Sequence, residues 1–367
     1  YRLSMRQADR IWVVARADAN PSYPLFPEER SPAQSLKLVD VLLLHHGSER
    51  KACRPADWLR ASGGARVFHW HQIAGEHCDR LARTIAGRSV GIVFSGGGAR
   101  AYAHIGVVKA MRELGIPIDF TGGASMGAVV AGCVAMGWDD AVIEHRIRKA
   151  FVESNPLGDW NIPVVGMVKG HRVDARLKEH FGEAEIGDLE MPFFAVSTNL
   201  TDGAYRIHRQ GLLRRALRAT ISLPGILPPV IDNGEVLVDG AVLNNFPTDV
   251  MRELQRGFVV GCDVARAPQG LDASEFVNAP GFFGWVAKHG LSSAPPIAGL
   301  LMRSATVSVN PNAGRELVDV LVLPELKDIE LRDWKAYDRA VEAGYNAAMT
   351  ALKQSDLKEN CCALKPA

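Results

Sequence analysis

The chain has 367 residues, of which 47% are apolar and 23% charged. That balance belongs to a folded protein and excludes a disordered, collagen-like or disulfide-stapled chain. Lys plus Arg number 42 against 41 Asp plus Glu, a net charge of +1. The basic excess of a duplex binder is absent, so nucleic acid is not an expected partner.

Tyr1 is followed by no charged n-region, apolar h-region and cleavage site, so the chain reads as a fragment of a longer protein with no signal peptide. Residues 1–88 read as a small α/β flanking region. Ile11–Val14 and Leu38–Leu44 have the character of strands, with a proline-rich stretch from Pro21 to Pro32 between them. A helix is predicted over Ala74–Ile85, stopped by Gly87. His45, His46, His69, His71 and His77 cluster here, but His69-Trp70-His71 is an ordinary strand alternation and no metal site is expected.

Residues 89–265 alternate strand and helix signals, which implies a mostly parallel sheet with helices on both faces. Val90–Phe94 reads as a strand, followed by a helical stripe of Ile105, Val108, Met111 and Leu114. Phe120 leads into a helix over Met126–Met136 that is apolar nearly all round and therefore buried. The uncharged run Phe120 to Trp138 has spanning length, yet its five glycines make it a core segment rather than a membrane span. Phe193–Ser197 and Phe258–Cys262 read as buried strands, and Asp232-Asn233-Gly234-Glu235 as a hairpin turn. Residues 266–355 hold Phe276, Phe282, Phe283 and Trp285 before Pro295-Pro296. The stretch Phe276–Val286 has two equal readings, a lid or bilayer contact and ordinary aromatic packing. A strand over Val318–Leu323 and a closing helix over Trp334–Leu352 follow, with a frayed tail over 356–367. The six cysteines form no C-x-x-C pair and read as reduced, mostly buried thiols.

Two glycine-rich turns carry chemistry. Ser95-Gly96-Gly97-Gly98-Ala99-Arg100 lies between a strand and a helix, where free N–H groups make an anion site. The anion is a nucleotide phosphate or an oxyanion; the spacings of a dinucleotide fingerprint and of a P-loop are absent. Gly123-Ala124-Ser125-Met126-Gly127 is a G-x-S-x-G in the strand-to-helix context that motif requires, which makes Ser125 the candidate nucleophile. Its base is a histidine among His145, His171, His180, His208 and His289, or an aspartate. Asp239-Gly240-Ala241, at the end of the predicted hairpin strand, is favoured over Asp202-Gly203-Ala204, which reads as a turn. Arg206, Arg209, Arg214, Arg215 and Arg218 form either a headgroup-attracting patch or a solvated helix face.

The glycine loop, Gly123-Ala124-Ser125-Met126-Gly127 and Asp239-Gly240-Ala241 resemble patatin-like phospholipases in order and spacing. So do Ala219-Thr220-Ile221-Ser222-Leu223-Pro224-Gly225-Ile226-Leu227-Pro228-Pro229 and Asn244-Asn245-Phe246-Pro247. Ala8–Ala15, His45–Leu59 and Leu331–Tyr345 extend the likeness to the neuropathy target esterase branch. Ser95 and Ala101 depart from that branch, which has glycine at both places. The resemblance implies a three-layer α/β/α patatin-type fold and selects Asp239 over Asp202. It implies a Ser125–Asp239 dyad that cleaves acyl esters of lysophospholipids or phospholipids. N–H groups of Gly97 and Gly98, with those of Gly96 and Ala99, would hold the oxyanion. Arg100, Gly123, Gly127 and Gly240 would support the site. No metal or cofactor is implied, and the expected setting is the surface of a membrane on its cytoplasmic side. An esterase with a Ser-His-Asp triad and a weakly catalytic lipid-binding module are the alternatives.

Overall fold

The computed structural model describes residues 10–21, 38–46, 54–64, 66–71, 75–154, 156–161, 165–265 and 314–362, with residues 8, 284 and 312. The stretch Phe276–Val286, with its lid and packing readings, lies outside the described residues except for Gly284, as does His289.

Three parallel strands open the chain in the order β1 (Arg10–Arg16), β2 (Leu38–His45), β3 (Arg66–His71). Val41 and Leu43 of β2 are fully buried, as expected of a central strand. Helix α1 (Pro55–Ser62) joins β2 to β3, and α2 (Gly75–Ile85) follows β3. Both expected strands and the expected helix are present; α1 adds to them, and β3 extends the alternation read at His69-Trp70-His71.

The second sheet has eight strands: β4 (Val90–Phe94), β5 (Phe120–Ala124), β6 (Phe193–Asn199), β7 (Ala204–His208), β8 (Val230–Asp232), β9 (Glu235–Asp239), β10 (Phe258–Cys262) and β11 (Val320–Val322). Their order is β11-β10-β4-β5-β6-β9-β8, with β7 on the other edge of β6. The five strands from β11 to β6 are parallel, whereas β7 and β9 run against β6 and β8 against β9.

The two-residue period of a strand sorts side chains between two cores. Val90, Ile92 and Phe94 face a core completed by α3 (Ala103–Glu113), α4 (Ser125–Ala135), α5 (Asp140–Ile147), α6 (His171–Phe181) and α7 (Leu213–Thr220). Val93 faces the other core, with α8 (Thr248–Leu254) and Phe68 of β3. Every residue of α4 is buried, and each such Val contributes about 1.5–3 kcal/mol by leaving water. Helix α9 (Tyr337–Lys353) closes the first layer against α3. The tail corrects the sequence reading. Helix α10 (Leu357–Cys362) follows, and Leu357 and Cys361, one turn apart, are both buried in the first core. The result is a three-layer α/β/α fold with a small α/β unit on its second face. Among the described residues no helix is long and apolar enough to cross a membrane.

Candidate active site

Two strands meet end to end at this sheet. Strand β5 runs parallel to β6 and places its last residue, Ala124, opposite Val196. Strand β9 runs the other way and places its last residue, Asp239, opposite Ser197. Because β7 pairs the far edge of β6 over residues 195–199, β5 and β9 share one edge and stop against each other. Ser125 follows β5 directly. The junction therefore joins two residues 114 apart in the chain: Ser125 Oγ donates to Asp239 Oδ2 at 2.7 Å.

Ser125 has a φ of 51°, a left-handed kink that costs a side-chain-bearing residue roughly 1–3 kcal/mol. The surroundings hold it there. Its N–H donates to Thr220 Oγ1 at 2.8 Å, and that hydroxyl donates to Val196 O at 2.5 Å. The motif glycines leave room for the turn: a Cβ on Gly123 would lie 2.4 Å from Phe94 O, and one on Gly127 2.4 Å from Ser95 O. Gly240 lets the chain leave β9 beside β6, where a Cβ would lie 2.2 Å from Val196 O. Ser125 is buried but keeps 6% exposure, while Asp239 has none.

Asp239 Oδ1 accepts from Ala241 N–H at 2.8 Å, and its own N–H donates to Ser222 O at 2.9 Å. Among the described residues no cation pairs with it. Burial disfavours the charged form and outweighs the two bonds from Ala241 and Ser125 that favour it; the carboxyl is pushed up to about 7. An aspartate near its ordinary value would be a feeble base for an alcohol, whereas one at about 7 is matched to neutral pH.

The glycine loop passes beside the kink. Ser95 N–H donates to Cys262 O at 3.1 Å, Ser95 Oγ accepts from Val264 N–H at 2.9 Å, and His104 Nε2 donates to Ser95 O at 2.9 Å. His104 is fully buried and its pKa falls to about 4 by desolvation, so the ring is neutral at pH 7. Gly98 has a φ of 55°, and a Cβ there would lie 2.2 Å from Leu331 O. Two of the four expected oxyanion donors are taken: Gly96 N–H donates to Asn245 O at 3.1 Å and Ala99 N–H to Leu331 O at 2.8 Å. Gly97 and Gly98 N–H have no acceptor among the described residues, so the expectation narrows to these two. Arg100 is buried and reaches Val264 O at 3.5 Å, which braces the loop on the chain beyond β10.

The patatin-like phospholipase family model matches residues 92–252, a span that contains the loop, Ser125 and Asp239. An NTE family protein of Mycobacterium bovis is 37% identical over 310 residues, covering 83% of this chain and 52% of its own. Lysophospholipase NTE1 of Kluyveromyces lactis is 32% identical, covering 72% of this chain and 19% of its own. Patatin-like phospholipase domain-containing protein 6 of Homo sapiens is also 32% identical, covering 71% and 21%. The chain belongs to the patatin-like phospholipase family. It spans about half the length of its mycobacterial relatives and about a fifth of the other two.

In this patatin-like domain the glycine loop, Ser125 and Asp239 come together, and four of the five candidate histidines do not join them. His208 shares a 2.7 Å hydrogen bond with Ser197 Oγ, and among the described residues no histidine bonds to Ser125 or Asp239. The five arginines are largely occupied. Arg206 pairs with Asp232 and Glu235, Arg214 with Glu183, Arg215 with Asp232 and Arg218 with Asp174. In the histidine cluster, His45 and His69 hydrogen-bond at 2.9 Å and His69 reaches Gly187 O at 2.7 Å. Among the described residues no group of three ligands could hold a metal. Sequence reasoning missed Thr220, Asn245 and His104. Thr220 and Asn245 sit inside stretches already matched to the family, but neither is a motif residue. His104 precedes the stripe of Ile105, Val108, Met111 and Leu114 and belongs to none of the motifs.

Proposed function

We propose that this chain is a serine hydrolase that cleaves acyl esters of lysophospholipids or phospholipids through an acyl-enzyme. What carries the reading is the 2.7 Å bond from a kinked serine to a buried aspartate that no cation compensates among the described residues. Ser125 Oγ attacks the ester carbonyl as Asp239 Oδ2 takes its proton. The carbonyl oxygen becomes an oxyanion and meets the N–H groups of Gly97 and Gly98, each worth about 3 kcal/mol of barrier. Collapse expels the alcohol, which takes the proton back from Asp239, and leaves the acyl group on Ser125. Water then gives a proton to Asp239 and attacks the acyl carbon. The fatty acid leaves and the proton returns to Ser125. The family resemblance supports lipid esters as the substrate class, and the name of the yeast relative supports lysophospholipid. We place residues 89–265 as the patatin-like catalytic core and 266–355 as the C-terminal part of the same domain, with 1–88 flanking it and 356–367 as its tail, at the cytoplasmic surface of a membrane.

Hydrolysis of a lipid panel tests this, with wild type, Ser125→Ala and Asp239→Asn in parallel. Each variant is expected to lose at least about a thousandfold in rate while remaining folded. Undiminished hydrolysis by pure Asp239→Asn protein would move the base elsewhere. Reaction of Ser125 with a fluorophosphonate probe separates an enzyme from a lipid-binding module.

A further inference from the structure

We propose that Thr220 is a positioning residue for the nucleophile, acting through the backbone of Ser125; this rests on the hydrolase reading above. Ser125 is the first residue of α4, so its N–H has no acceptor within the helix. It lies in the interior, where an unmet donor is costly. Thr220, the last residue of α7 and fully buried, meets it with Oγ1 at 2.8 Å. The same hydroxyl donates to Val196 O at 2.5 Å, and Val196 stands opposite Ala124 in the β5–β6 ladder. One oxygen thus ties the kinked residue to the strand that supports it.

The role needs a group that accepts and donates at once. Threonine and serine have one; valine, of nearly the same shape, has neither capacity. Without the hydroxyl, Ser125 N–H and Val196 O both lose this partner and the positive φ of Ser125 loses its anchor. The rest of the same segment holds the other partner. Ser222 O accepts Asp239 N–H at 2.9 Å, and Arg218 Nη1 donates to Ser222 Oγ at 2.5 Å. Thr220 itself makes no bond to the Asp239 carboxylate, whose partners are Ser125 and Ala241. Its loss is therefore expected to misplace the serine and weaken the bond to Oδ2, which leaves Asp239 as buried as before and its pKa no less raised.

The test compares wild type, Thr220→Val and Thr220→Ser in ester hydrolysis, fluorophosphonate labelling and pH profile. Thr220→Val is expected to lower kcat and the labelling rate by about tenfold to hundredfold, with KM within about twofold. Thr220→Ser is expected to recover most of the loss. The pH midpoint is expected to stay at the wild-type value or rise, because the Ser125 bond that favours ionised Asp239 weakens. Wild-type kcat in Thr220→Val overturns the proposal. So does a midpoint that falls toward the ordinary carboxylate range, the mark of a loosened, hydrated interior, or a Thr220→Ser no better than Thr220→Val. If Thr220→Val does not fold, Thr220→Cys, a poor hydrogen-bonding substitute, is measured instead and must fall below Thr220→Ser. A wild type that hydrolyses no ester and leaves Ser125 unlabelled ends the parent reading and this one with it, a pattern distinct from an active wild type with an indifferent Thr220→Val.

Discussion

Each of the two sheets buries an aspartate completely, and the two are treated in opposite ways. In the N-terminal sheet, Asp40 receives Arg66 on both oxygens, Nε to Oδ1 at 2.5 Å and Nη2 to Oδ2, with Arg10 3.5 Å away. Arg66 also donates to Leu254 O at 2.6 Å, which fastens this sheet to α8. In the larger sheet, Asp239 receives one hydroxyl and one N–H and no cation. A buried carboxylate met by a guanidinium is a fixed ion pair that holds two layers together. A buried carboxylate left without one is a proton acceptor with a raised pKa. Burial is the same in both; what differs is the partner, and with it the role we propose for Asp239.

The sharpest way to break this contrast is Asp239→Asn. Hydrolysis is expected to drop at least about a thousandfold, yet the folded protein gains stability. The carboxyl sits at about 7 in the fold against 3.8 as an ordinary aspartate. Its ionisation therefore opposes folding, and stability is lost as pH rises from about 4 to about 7. The advantage of the Asn variant in thermal melts should grow across that interval and be larger at pH 8 than at pH 5. A constant difference would mean that Asp239 is already ionised in acid.

Arg66→Met is the mirror experiment. Leaving Asp40 buried against Arg10 alone should cost about 3 kcal/mol in denaturant unfolding, while kcat per folded molecule stays within about twofold. The pH–rate profile of the wild type comes next: hydrolysis should rise about tenfold per pH unit below about 7 and level off above it, because only ionised Asp239 accepts the proton. A profile flat from pH 5 to 8 would remove Asp239 as base. The smallest effect belongs to the surface. Reversing Arg214 and Arg215 to Glu should change co-sedimentation with anionic vesicles by less than about twofold, because both already face Glu183 or Asp232.

The sequence was most legible where local chemistry decides structure. Asn233 and Gly234 both have positive φ, the requirement that makes Asn-Gly a hairpin signal, and the strand over Phe258–Cys262 is present with the expected bounds. Strand β3 was read only in part, because Arg66 and His69 point inward. Their burial depends on Asp40, Leu254 O, His45 and Gly187 O, partners remote in the chain. The same limit applies to the site. The loop, Ser125 and Asp239 are visible as motifs, but the competition for Gly96 and Ala99 N–H comes from Asn245 and Leu331, which no spacing rule connects to a glycine loop. The tail helix was missed because its single apolar turn, Leu357 to Cys361, is too short to stand out from a polar end.

The end-to-end meeting of β5 and β9 has a mechanical consequence. Both groups of the proposed dyad are referenced to neighbouring rungs of one ladder, Val196 and Ser197. A thermal excursion of β6 carries hydroxyl and carboxylate in the same direction, so most of the displacement cancels in the gap between them. The surface loops within the stretch joining the two can then vary in length and shape without detuning the contact, so long as β6, Thr220 and Ser222 keep their places.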